Sequence, residues 1–217
     1  MKPSGLIIGY DPGGNNHHGV AELQVEDGIA TKLSTWTMGT AKDVVAFLES
    51  KPSLIALGVD TLTCWSTGVS GWRPADRWLM KNDRYKDVWH SIVSPNSLFG
   101  SMGLNGMAVL IEARRIHPDI RITETHPKVL YYHLTPGKKY DYQTDKDVMD
   151  AELKAWLGVP VCPDTEHAWD AAISAYAALE GMAGRWSIDL HDPLLHPSEK
   201  AERRITPCGN THYFWPQ

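Results

Sequence analysis

Leu6-Ile7-Ile8-Gly9-Tyr10-Asp11-Pro12-Gly13-Gly14 is the stretch on which the fold turns. A short apolar run meets an acid and then a Pro-Gly-Gly turn, which reads as a buried strand delivering a carboxylate at its C-terminal end. Residues 19–25, GVAELQV, alternate and suit a second strand; Asp27-Gly28 is a hairpin signal, and a third strand follows over residues 29–37. Three successive strands with short turns make an antiparallel meander, so the sheet is not purely parallel.

Outward from this meander, Thr40 caps a helix whose apolar residues Val44, Val45, Phe47 and Leu48 have helical spacing, and Pro52 ends it. Residues 53–60, SLIALGVD, form a second buried run that finishes on an acid. The pattern then fails over residues 61–95, where Trp65, Trp72, Trp78 and Trp89 punctuate a polar stretch; this reads as an insertion holding one helix over 74–82. A helix over 104–116, a strand over 120–124 broken by His126-Pro127, and helices over 145–156 and 165–183 complete the pattern. The expected organisation is one domain over residues 1–188 and an irregular tail over 189–217, with no internal repeat.

The chain has 217 residues, 42% hydrophobic and 22% charged, which suits one sizeable globular domain and excludes a disordered tail, a collagen-like repeat or a coiled-coil rod. Its 21 basic against 26 acidic residues give a charge of −5, so a polybasic coat for nucleic acid is excluded while nucleic acid as a substrate is not. The N-terminal apolar run is too short for a signal peptide, and no run approaches the length of a membrane span. Cys64, Cys162 and Cys208 are odd in number and far apart, as expected of reduced thiols. A soluble cytoplasmic protein is expected.

Three apolar strands end on acids, Asp11, Asp60 and Glu124, and a fourth acid, Asp170, lies in the alanine-rich helix three residues after His167. Singly, each acid can be a cap or turn former. Together, converging carboxylates repel, and a divalent cation with oxygen ligands, Mg²⁺ or Mn²⁺, is the natural way to neutralise them. Two such ions activate water and stabilise a leaving oxygen in phosphodiester cleavage.

The run from Leu6 to Gly13 followed by Gly19-Val20-Ala21 resembles the first strand and hairpin of RuvC-type Holliday-junction resolvases, and His167-x-x-Asp170-Ala171 resembles their last helix. Arg73-Pro74-Ala75-Asp76-Arg77 and Glu124-Thr125-His126-Pro127-Lys128 are similar to segments of a family of predicted ribonuclease-H-like nucleases. The resemblance covers roughly residues 5–183. It implies an α/β ribonuclease-H-like fold, a mixed five-stranded sheet flanked by helices. It also implies metal-dependent phosphodiester cleavage of DNA or RNA, with Asp11, Asp60, Glu124 and Asp170 as ligands. The resolvases carry Glu where this chain has Asp60. They work as dimers, so a homodimer is an expectation, although no sequence feature marks its surface.

His167 is placed to orient water or relay a proton, or else to be a plain first-turn residue. His17, His18 and His126 lack the spacing that would mark a zinc site with it. Arg73, Arg77, Lys81 and Arg84, with Lys86, bunch positive charge beside four tryptophans; they read as a substrate grip or as a solvated network with Asp76 and Asp83. Discounting the four site acids leaves the remaining chain near −1, so a local grip is compatible with the balance. Two other functions compete. An actin-like or sugar-kinase-type enzyme would bind nucleotide phosphates at the turn following Asp11, yet Thr61-Leu62-Thr63-Cys64-Trp65 is bulky for a second phosphate loop. A non-catalytic interaction module would use Phe214 and Trp215 in the tail.

Overall fold

The computed structural model describes residues 2–68, 70–94, 100–196 and 204–217; Pro95, the expected end of the insertion, and residues 197–203 of the expected tail lie outside them. Strands β1 (Gly5–Asp11), β2 (His18–Glu26) and β3 (Ile29–Met38) form the meander, followed by α1 (Ala41–Glu49) and β4 (Leu54–Val59). Next come α2 (Pro74–Lys81), a 3₁₀ segment (Asp83–Ser91), α3 (Gly100–Ile116) and β5 (Arg121–Glu124). Helices α4 (Pro127–Leu134), α5 (Tyr142–Leu157) and α6 (Glu166–Met182) complete the order. The main sheet runs β3-β2-β1-β4-β5, antiparallel through the meander and parallel from β1 to β4 to β5. This is the mixed five-stranded sheet, a three-strand antiparallel meander plus two parallel strands, that the sequence leads us to expect.

Period-two alternation sends the side chains of β1 to both faces, and both faces are covered. Ile7 joins a core with α4, α5 and α6, whereas Ile8 and Tyr10 join a core with Val44 and Leu48 of α1 and Val109, Leu110 and Ala113 of α3. Asp27 and Gly28, at φ 48° and 77°, supply the left-handed pair that a tight hairpin between twisted strands demands. Thr40 caps α1 as expected, its hydroxyl accepting from the Asp43 N–H while the Asp43 carboxylate accepts from the Thr40 N–H.

Helix α6 is buried from Ala168 through Glu180 and lies directly on the sheet. A Cβ on Gly9 would overlap the Ala171 carbonyl oxygen, and one on Gly58 would overlap that of Ser174. Glycines on the sheet and alanines on the helix therefore set a close approach that larger side chains would prevent. That approach brings the helix's first turns over the ends of β1 and β4.

Two departures from the sequence reading affect the site. Pro127 was expected only to break a strand, but it also opens α4 from its first position, where a missing N–H costs nothing. The tail is woven into the domain. The Glu124 N–H donates to the His212 carbonyl and the His212 N–H to that of Ile122, so His212 runs parallel beside β5 and covers that edge of the sheet. Trp215 is fully buried, and its indole N–H donates to the Tyr85 hydroxyl of the insertion. No helix among the described residues is long and apolar enough to cross a membrane.

Candidate active site

Asp11 is the last residue of β1, and Asp60 follows the last residue of β4, its N–H donating to the Tyr10 carbonyl at 2.9 Å. Parallel pairing of Tyr10 with Val59 puts the two acids side by side at one end of the sheet. Thr165 starts α6 by accepting from the Ala168 N–H, which sets His167 in the first turn and Asp170 in the next. Asp11, Asp60, His167 and Asp170 line one cavity of about 640 Å³, together with Lys128, Glu166, His17, His90 and His126. Pro12, Leu62, Val93, Met102 and Pro127 form its apolar wall.

The three aspartates are held at a cost. Burial, and then the charge of Asp11, pushes the carboxyls of Asp60 and Asp170 well above the usual range; Asp170 also feels Asp60. Burial raises Asp11 too, against the lowering effect of His167, whose Nδ1 lies 2.6 Å from Asp11 Oδ2. That contact in turn raises the imidazole above its usual value although burial opposes it. The Tyr140 hydroxyl donates to Asp170 Oδ1 at 2.7 Å. The carboxylate of Asp60 accepts no hydrogen bond from any described residue.

Among the described residues, no group of three or more His, Cys, Asp or Glu side chains is arranged, as it stands, to hold a metal ion. One oxygen of Asp11 is committed to His167 and one of Asp170 to Tyr140, which leaves one oxygen on each and both on Asp60. In chemistry the set fits a hard divalent cation: carboxylate oxygens only, in mutual repulsion, at a cavity wall.

Glu124 is not part of this set, which corrects the sequence reading. Its Oε1 accepts from Arg73 Nη2 at 2.6 Å, and its Oε2 accepts from Arg73 Nη1 at 2.7 Å, from the Thr63 N–H at 2.9 Å and from the Thr63 hydroxyl at 3.1 Å. Arg73 outweighs the effect of burial and holds this carboxyl below its usual range. The same guanidinium binds Asp76 through two further bonds of 3.0 and 2.6 Å. Arg73, only 1% exposed, is therefore a structural cation joining the insertion to β5, too buried to grip substrate as the sequence suggests.

The other basic residues of the insertion stand away from the cavity. Arg77 donates to the Trp72 carbonyl, Arg84 to the His133 carbonyl at the end of α4, and Lys86 pairs with Asp83, while Lys81 is exposed to solvent. Trp72 and Trp78 pack on the core, and Trp89, 58% exposed, stands out. The histidines divide as well. His18 is buried against the Tyr10 hydroxyl and His126 bonds the Ser91 carbonyl, while exposed His17 leans on His167 with ring centres 5.3 Å apart.

Residue pattern alone does not place Lys128, Tyr140 or His90 at the site. Pro127 at the start of α4 was the available signal for Lys128; Tyr140 had none, because its partner is thirty residues away in the chain. The turn after Asp11 closes on its own backbone, with the His17 N–H donating to the Gly14 carbonyl and Asn105 donating to that of Gly13. Buried Trp215 and the packing of Phe214 against Gly181 remove the tail surface that an interaction module would have used.

No protein-family model matches the sequence, and no curated protein does. Among solved structures, Thermus thermophilus RuvC is similar with a TM-score of 0.45 at 17% identity, covering 82% of this chain and 96% of that one. T. thermophilus RuvC in complex with a Holliday junction substrate is similar with a TM-score of 0.44 at 17% identity, covering 83% and 96%.

Proposed function

We propose that this protein is a divalent-metal-dependent nuclease that hydrolyses phosphodiester bonds of nucleic acid, with Asp11, Asp60 and Asp170 holding Mg²⁺ or Mn²⁺. The observation that carries the reading is three aspartates, from two adjacent strand ends and the helix across them, brought to the wall of one cavity, where the charge of Asp11 pushes up the carboxyls of Asp60 and Asp170. Paying that repulsion without a counter-ion makes sense for a site that receives one. The cation, when bound, supplies Lewis-acid stabilisation of the phosphate and a more acidic water.

The protein's own groups do the rest. His167 shares a proton with Asp11 and stands at the cavity wall, where it orients a water and accepts its proton. Lys128, about half exposed at the start of α4, offers an ammonium to a phosphate oxygen in the cavity. The apolar wall beside the acids excludes water from one side of the reacting group.

The test is cleavage of labelled single-stranded DNA, duplex DNA, RNA and hybrid with Mn²⁺ or Mg²⁺, comparing the wild type with Asp11→Asn. Metal-dependent cleavage that disappears in the variant is expected. Equal behaviour of the two proteins on every substrate overturns the reading.

A further inference from the structure

We infer that Tyr140 is the positioning residue for Asp170, fixing that carboxylate from behind so that Oδ2 alone is offered to the cation; this rests on the metal-site reading above. The phenol donates to Asp170 Oδ1 at 2.7 Å. Tyr140 does not line the cavity, so it acts through Asp170 and not on substrate.

The ring has little freedom to move. It packs edge-on against Trp169 with centres 5.6 Å apart and against Tyr131 at 6.0 Å, and the Lys128 ammonium lies 5.4 Å from its centre. Trp169 is the residue immediately before Asp170, so the aromatic cluster that seats the phenol also seats the carboxylate's own stretch of helix. Asp141, next in the chain, caps α5 by accepting from the Thr144 N–H, which anchors the segment carrying Tyr140. Each of these contacts fixes where the hydroxyl points.

The three aspartates differ accordingly. Asp11 is held from the cavity side by half-exposed His167, and Asp60 accepts no hydrogen bond from any described residue. Among the described residues, Asp170 is the one held by a group outside the cavity. A donor on Oδ1 from outside the cavity stabilises the negative charge and stops the carboxylate rotating, so the remaining oxygen is aimed in advance. Without it the cation must pay to order the ligand.

The test is Mn²⁺ binding by calorimetry to wild type, Tyr140→Phe and Asp11→Asn. Phe keeps the ring contacts and deletes one hydroxyl. We expect Tyr140→Phe to bind Mn²⁺ about tenfold more weakly, the scale of one hydrogen bond to a charged group, with the Michaelis constant for nucleic acid unchanged. Affinity equal to or tighter than wild type overturns the role of Tyr140. Absence of Mn²⁺ binding in the wild type overturns the metal site itself, which is a separate outcome. Should Tyr140→Phe fold poorly, a structure of the wild type with Mn²⁺ decides: the phenol stays on Asp170 Oδ1, or its departure ends the inference.

Discussion

Three strand ends in this sheet carry acids, and their fates are opposite. At the end of β5, Glu124 meets Arg73 in a two-bond pair, with Thr63 completing its shell. At the ends of β1 and β4, Asp11 and Asp60 meet no guanidinium among the described residues; the charges of Asp11, Glu124 and Glu166 push Asp60 up, and Lys128 opposes them. One carboxyl is pulled below its ordinary range and the others are pushed above it. A buried acid with its counter-ion inside the fold is architecture; one without is a place where charge must arrive from outside.

The sharpest break of this comparison is Arg73→Met. It strands Glu124 and Asp76 without their cation and is expected to cost about 3–5 kcal/mol of stability, read by urea denaturation. Asp60→Asn should act in the opposite direction. Removing one repelling charge is expected to stabilise the metal-free protein by about 1 kcal/mol, while cleavage falls by roughly 10²–10³-fold. Loss of stability in Asp60→Asn would contradict the assignment of strain to the aspartates. Lys128→Ala should weaken substrate binding by about tenfold, whereas Lys81→Ala, exposed and outside the cavity, should change it by less than about twofold; binding curves at fixed ionic strength separate them.

Acidity distinguishes the same two regions. Glu124 has a lowered folded pKa, so its stabilisation is present above its unfolded value near 4 and is lost as pH falls through the folded one. Asp60 and Asp170 have raised folded values, so the folded protein binds more protons than the unfolded chain between about pH 4 and those values, and stability declines as pH rises across that window. Melting temperatures measured from about pH 2 to 8 should show this decline above about pH 4, and saturating Mn²⁺ should remove it while leaving the acid limb from Glu124, below about pH 4, in place.

Much of the site could be read from local pattern. Asp11 and Asp60 each close an apolar run, and His167 and Asp170 share a face because three residues nearly complete a helical turn. Glu124 has the same local signature as Asp11 and Asp60, a strand-ending acid, and local pattern cannot tell it from them. What separates it is a guanidinium 51 residues earlier in the chain, and no periodicity carries that distance. Tyr140 is hidden for the same reason, as is the tail: Tyr213 and Trp215 are core residues, but their partners belong to the insertion and the sheet edge.

By itself, then, the sequence determined the meander, the two parallel strands, the alanine-rich helix and the acids at their ends, because strand and helix periodicity and turn chemistry are local. Only the tertiary structure decided which acids are neutralised. Desolvation and charge pairing depend on what stands within a few ångströms in space, and Arg73, His167 and Tyr140 reach their carboxylates across 51, 156 and 30 residues of chain.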